Sequence, residues 1–282
     1  MMRIPFDKYH VSGNDYLICA QTDWELPINT TYIKSLCDRC NGIGADGILF
    51  WSTSTEHKWS LRIYNSDGTE CEKSANGLLI FAQYLKDNGL SQHRTIEIFL
   101  CKLAETIKVN EFADGCDSVQ LGRYYFSSDK IPVRSNKETF IDQQVVIGDE
   151  KFNLNCVSLG NPHCVIFVDR ELSMDEVINK GRLIGQSTLF PDKANVIFAL
   201  IRSETLIKIE VWERGAGYIQ SSGMCACAAA ILSYTRKYTK NKVTIEMQGG
   251  EVTVMLNGRD EVSLSGKAEL ICSGDVAPHI IN

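Results

Sequence analysis

Residues 61–85, LRIYNSDGTECEKSANGLLIFAQYL, and residues 207–232, IKIEVWERGAGYIQSSGMCACAAAIL, are two versions of one pattern. In the first, Leu61 to Tyr64 alternates like a half-buried strand, and Asn65-Ser66-Asp67-Gly68 supplies a turn. A polar loop then reaches Ser74-Ala75-Asn76-Gly77. There an apolar run from Leu78 to Leu85 reads as a helix ended by Asn88-Gly89. In the second, Ile207 to Trp212 is the strand and Glu213 to Gly217 the loop, and an Ala-rich helix runs from about Met224 to Tyr238. Strand end to helix-opening serine is 10 residues in both copies, 64 to 74 and 212 to 222. Serine to the next Thr-Ile-Glu strand is 21 residues in one copy (74 to 95) and 22 in the other (222 to 244). Hairpins close both copies, Thr95–Ile98 with Glu105–Val109 and Val243–Met247 with Glu251–Val254.

Matched offsets of that kind predict an internal duplication. The expected fold class is α/β (α+β), in two pseudo-symmetric lobes. Each lobe is a mostly antiparallel sheet curled around one apolar helix. The first lobe is expected at 1–121 plus about 268–282, with Glu269 to Cys272 as a returning strand. The second is expected at 122–267, after Val119-Gln120-Leu121-Gly122. A ligand cleft is expected between them.

The 282 residues are 44% hydrophobic and 23% charged, enough to bury a sizeable core and unlike a disordered chain. A net charge of −6 disfavours nucleic acid and anionic membranes as partners. The first residues, MMRIPFDKYHVSGND, lack an apolar signal core, and no apolar run reaches the roughly 18 residues of a membrane span. A soluble, cytoplasmic protein is the expectation. Eleven scattered cysteines, mostly in apolar contexts, suit small buried hydrophobes in a reducing compartment. Cys37-x-x-Cys40 has no second Cys/His pair at a zinc spacing, so no metal site is expected.

Both copies place a small polar loop at a helix start. Unpaired N–H groups there, with the helix dipole, favour a carboxylate. For one such loop, an ordinary serine N-cap is explanation enough. A matched pair points to a ligand, and two helix starts facing one another would converge on a single carboxylate.

Six strings carry a family resemblance: His10-x-x-Gly13-Asn14-Asp15-Tyr16, Gly42-Ile43-Gly44-Ala45-Asp46-Gly47, Asn65-Ser66-Asp67-Gly68, Ala75-Asn76-Gly77, Gly160-Asn161-Pro162-His163 and Glu213-Arg214-Gly215-Ala216-Gly217. They resemble, in order and across nearly the whole chain, the signatures of diaminopimelate epimerase. The resemblance implies an amino-acid racemase or epimerase that works without pyridoxal phosphate or any other cofactor. In that family two cysteines face the α-carbon, one removing a proton as the other delivers one to the opposite face. A small amino acid is the implied partner, and a second copy of the chain is a candidate one.

At the thiol positions the chain departs from the family. Ser74 stands in Ser-Ala-Asn-Gly where Cys-Gly-Asn-Gly is usual, and Ser222 in Ser-Ser-Gly-Met where Ala-Cys-Gly-Thr is usual. Tyr218-Ile219 replaces Glu-Thr. A serine hydroxyl is far less acidic than a thiol with its pKa near 8.5, so thiol-type epimerisation is not expected of the chain as written. Three explanations stay open: deliberate exchange of both nucleophiles, a native site turned to another reaction such as elimination or double-bond isomerisation, or a protein that only binds. The resemblance further implies that Ser74 and Ser222 occupy the proton-transfer positions, flanked by His163 and Glu213. Asn14, Asn65, Asn161, Asn195 and Arg214 would hold the non-reacting end of the ligand. Ala75, Asn76, Gly77, Gly223 and Met224 would offer main-chain N–H groups to the reacting carboxylate.

Overall fold

A computed structural model describes residues 4–23, 28–56, 58–111, 116–277 and 280. Strands β1 (Ile4–Val11) and β2 (Asn14–Ala20) form an antiparallel hairpin. Its turn is Ser12-Gly13, both with positive φ, as a two-residue turn of matching twist requires. The chain continues through helix α1 (Thr30–Cys37), strands β3 (Gly47–Ser52), β4 (Ser60–Asn65) and β5 (Glu70–Cys71), helix α2 (Ala75–Asp87), and strands β6 (Thr95–Leu100), β7 (Glu105–Glu111) and β8 (Asp117–Arg123). Then come β9 (Gln143–Ile147), β10 (Glu150–Ser158), β11 (Pro162–Val168), α3 (Met174–Gly185), β12 (Asn195–Ser203), β13 (Leu206–Glu213) and β14 (Gly217–Ile219). Helix α4 (Gly223–Thr235) and strands β15 (Lys242–Met247), β16 (Gly250–Leu256), β17 (Glu261–Gly266) and β18 (Ala268–Val276) complete it.

Two compact units emerge: Met1–Val119 with Ser265–Asn282, and Gln120–Leu264. The divisions fall within strands β8 and β17, not in a polar linker. In the returning segment, residues 278, 279, 281 and 282 lie outside those described.

Within the first unit the strands pair in the order β18-β1-β2-β3-β4-β6-β7-β8, with β5 against β4. Within the second the order is β9-β10-β11-β12-β13-β15-β16, with β14 against β13. The directions repeat as well. β2 runs parallel to β3 and β4 to β6; β11 runs parallel to β12 and β13 to β15. All the other pairings just given are antiparallel. Parallel neighbours need a crossover, and helices α1, α2, α3 and α4 provide it in turn. The duplication is therefore visible in topology, and each sheet is mostly antiparallel.

Each unit wraps its sheet on an apolar helix. Leu78, Leu79, Ile80, Phe81, Ala82 and Leu85 of α2 are fully buried, as are Ala226 to Leu232 of α4. α4 packs on β10, β11, β12, β13, β15 and β16. A helix apolar on every side needs such an all-round enclosure. α4 stops at Thr235, short of the expected Tyr238. Lys237 turns into the left-handed region and the N–H of Tyr238 bonds back to Ser233 O at 2.9 Å, closing the helix end. No described helix is long and apolar enough to cross a membrane.

Candidate functional site

In the first unit, the start of α2 is capped by Ser74, whose Oγ accepts the N–H of Gly77 at 3.1 Å. Ala75, Asn76 and Gly77 are therefore the first three helical residues, and all are buried. The hydroxyl of Tyr16 lies 3.1 Å from the same Ser74 Oγ. Asn76, 2% exposed, donates through Nδ2 to Asn14 Oδ1 at 3.0 Å, and Asn14 donates in turn to Asp46 Oδ2 at 2.8 Å. Asn76 Oδ1 is buried without a hydrogen-bond partner.

Behind this row sits an ion network. Arg39 grips both oxygens of Asp15 (2.7 and 3.1 Å) and reaches Asp46 at 2.7 Å, while Lys8 stands 3.0 Å from Asp15. Burial works against the charge on Asp15, but the hydrogen bonds from Arg39 and Lys8 outweigh it and hold its carboxyl below the ordinary range. The network ties the Asp15 backbone N–H to Asp46 Oδ2 at 3.2 Å and the Asp46 N–H to Asp15 Oδ1 at 2.9 Å, joining the start of β2 to the loop before β3 beside Asn14. Asn65 ends β4 in a tight turn, its Nδ2 donating to Thr69 Oγ1 at 3.0 Å, with Gly68 at φ +84.

In the second unit Ser222 caps α4, its Oγ accepting the N–H of Cys225 at 3.4 Å. Its own N–H points to Met247 Sδ at 3.4 Å. Gly223 is buried and Met224 half-buried at the first turn. His163 is fully buried on β11, its Nδ1 3.0 Å from Asn161 O and its Nε2 3.2 Å from Asn195 Nδ2. Burial lowers its pKa to about 4, so the ring is neutral near pH 7. The proton then belongs on Nδ1, donating to the carbonyl of Asn161, while Nε2 accepts from Asn195. Asn195 Oδ1 receives the backbone N–H of Arg214 at 2.8 Å. Arg214 is exposed and donates through Nη1 to Asp192 O at 3.2 Å. Glu213 ends β13, and its charge reaches the Cys225 thiol.

The two helix starts correspond position by position. Asn65 lies 74 − 65 = 9 residues before one capping serine, and Glu213 lies 222 − 213 = 9 before the other. Tyr16 faces Gly47 across β2 and β3, as His163 faces Asn195 across β11 and β12. Tyr16, Asn65 and Ser74 thus answer to His163, Glu213 and Ser222. The contact of Tyr16 with Ser74 was not read from the sequence. Its signal was the tyrosine ending the Gly13-Asn14-Asp15-Tyr16 string, legible only once the two parallel registers are aligned.

Burial pushes the Cys225 thiol well above its ordinary value, with Glu213 adding to the shift, and burial likewise raises Cys227. Cys71 directs its sulfur to Lys73 O at 3.3 Å. The Tyr218 hydroxyl lies 2.9 Å from both Glu210 Oε2 and Gln248 Oε1, and burial with the Glu210 hydrogen bond pushes its pKa up to about 12. Among the described residues no group of three or more His, Cys, Asp or Glu side chains forms a metal cradle.

A family model described as diaminopimelate epimerase matches residues 6–127 and 155–271. "Diaminopimelate epimerase 2" of Nostoc sp. is 34% identical over 278 residues, covering 98% of this chain and 96% of that protein. The diaminopimelate epimerase of Halothermothrix orenii is 34% identical over 282 residues, covering 98% of each. Among solved structures, a hydroxyproline epimerase from Agrobacterium vitis shares the fold with a TM-score of 0.71 at 12% identity, covering 98% of this chain and 93% of that one.

Proposed function

The chain belongs to the diaminopimelate epimerase family, and from that membership we propose that it binds a small amino acid at helix starts that are built to stabilise a carbanion but lack the thiols for two-sided inversion. One observation carries the reading. Serines cap the two equivalent helices α2 and α4 at matched positions, each with its Oγ on the N–H three residues on. The first N–H groups of each helix favour a carboxylate there, and the dipole lowers the energy of charge that develops when the α-proton leaves. Asn14, Asn65, Asn161, Asn195 and Arg214 hold the far end of the ligand in this reading. The guanidinium of Arg214 suits a carboxylate because its fork can meet both oxygens.

His163 acts by position. With both ring nitrogens engaged, it fixes Asn195, which in turn fixes the Arg214 backbone. Glu213 lies beside the α4 start. The reaction class is cofactor-independent α-proton chemistry, but neither serine alone is acidic enough to invert the centre.

The test pairs calorimetry with a chirality assay, using meso-diaminopimelate and a panel of L- and D-amino acids. Binding of at least one, without interconversion of its stereoisomers, is expected. Inversion at roughly 1 s⁻¹ or faster would overturn the missing-thiol part. No heat with any amino acid would overturn the site itself.

A further inference from the structure

Inversion needs a proton carrier on both faces of a ligand, but exchange needs only one. The two helix starts differ in that respect. At α2 the capping serine is hydrogen-bonded to a phenol; at α4 the equivalent position is a histidine turned elsewhere. Resting on the amino-acid-site reading above, we propose that Tyr16 and Ser74 form a one-sided proton relay, so that the protein exchanges the α-proton of its ligand from one face while keeping its configuration.

The geometry supports a relay through serine. Ser74 Oγ accepts from Gly77 N at 3.1 Å, which fixes the hydroxyl at the first turn of α2. Tyr16 Oη lies 3.1 Å from it. The ring is 6% exposed and seats against Gly47, where a Cβ would stand 2.6 Å from Tyr16 Cε1. Glycine at 47 thus leaves the space in which the phenol is held.

The ordinary phenol pKa near 10 is several units closer to neutrality than an aliphatic hydroxyl. With Tyr16 as phenolate, the ligand's Cα–H bond breaks and its proton passes to Ser74 Oγ as the serine's own proton passes to Tyr16 Oη. The bonding pair stays on the ligand as a carbanion beside the helix N–H groups. The reverse step returns a proton to the same face. In heavy water the hydrogen now on Ser74 Oγ, the one taken from the ligand, is replaced by solvent deuterium before the reverse step, so the returned atom is deuterium and the configuration is kept.

Ser222 differs. Its hydrogen bonds run to Cys225 N and Met247 Sδ, and no described phenol or imidazole is bonded to it. The ionisable groups on the elements around Tyr16 are Asp7, Lys8, Tyr9 and His10 on β1, Asp15 and Cys19 on β2, Asp46 before β3, Lys73 ahead of α2, and Tyr84, Lys86 and Asp87 on α2. Asp15 and Asp46 are neutralised by Lys8 and Arg39, and Lys73 pairs with Glu105 at 3.3 Å. The other phenols among these groups are Tyr9 and Tyr84. The Tyr9 hydroxyl is bonded to Asp87 at 2.9 Å, and burial raises it beyond the phenol range.

The full chain is incubated with meso-diaminopimelate in heavy water between pD 7 and 10.5. α-Deuteration is followed by proton magnetic resonance, configuration by chiral chromatography, and binding by calorimetry. The wild type should deuterate with retention, at a rate rising with pD. Tyr16→Phe should slow deuteration at least tenfold and flatten the pD dependence, with affinity within about twofold. Ser74→Ala should lose deuteration although the phenol remains, which serves if Tyr16→Phe does not fold. Deuteration with inversion, an unchanged rate and profile in Tyr16→Phe, or bound ligand never deuterated by the wild type would each overturn the relay. Absence of binding to the wild type by the whole amino-acid panel would instead remove the site on which the relay depends.

Discussion

His163 has no exposure, and burial lowers its pKa to about 4. In the unfolded chain a histidine takes up its proton near pH 6.5, so between about 6.5 and 4 the unfolded state binds more protons than the folded one. Stability from this residue is complete above pH 6.5 and falls as the pH drops, by about 3 kcal/mol over the full window. Urea unfolding at pH 7.5 and 4.5 should show the loss, and His163→Gln should reduce it by about 2–3 kcal/mol. The serines invite the opposite experiment. Ser74→Cys combined with Ser222→Cys places thiols at two helix starts, where thiol pKa values fall toward neutrality. The double variant should invert an amino acid at about 1 s⁻¹ or faster, while either single variant should not. Inversion by a single variant would refute the two-face requirement. Both serines were legible as helix openers because polar-to-apolar transitions mark N-caps. The partners of Asn76, Asn14 and Tyr16 were not, since residues 58 and 62 positions apart meet only through the parallel register of β2 and β3.

Helices α1 and α3 were absent from the sequence reading, and the structure shows why they are short amphipathic crossovers instead of recognisable apolar runs. α3 carries Asp175, Glu176, Lys180 and Arg182 among its apolar residues, so only one narrow stripe is buried. That stripe depends on Gly181 and Gly185, four apart on one face. A Cβ at Gly181 would meet Trp212 Cβ at 2.4 Å and Cγ at 2.6 Å, and one at Gly185 would meet the same ring at 2.5 Å. Gly181→Ala should therefore push α3 off β13 and lower stability by about 1–3 kcal/mol, read as a fall in the urea midpoint. An unchanged midpoint would mean the sheet yields where the indole cannot. By contrast α2 and α4 announced themselves. A helix enclosed on all sides must be apolar on all sides, which composition alone reveals.

The second unit is inserted into the first. β18 returns after β17 to pair with β1 along Ile4–Val11. Ending the chain at residue 267 should strip β1 of that partner and raise amide hydrogen exchange in β1 and β2, while β11, β12 and β13 keep their protection. Equal loss in both sets of strands would show that the units do not unfold separately. The duplication was readable because its offsets are local, and a strand at Glu269–Cys272 was expected to return to the first lobe; its partner β1 was not named, because the pairing joins segments some 260 residues apart and leaves no periodic trace in between. Synthesis meets the same arrangement as a matter of timing. β1 must wait for β18, across the 268 − 11 = 257 positions from the end of one to the start of the other. At about 5–20 residues per second that delay is about 13–51 s. The inserted unit emerges complete while the unit begun before it still has an open edge, so a nascent chain finishes its second half before its first.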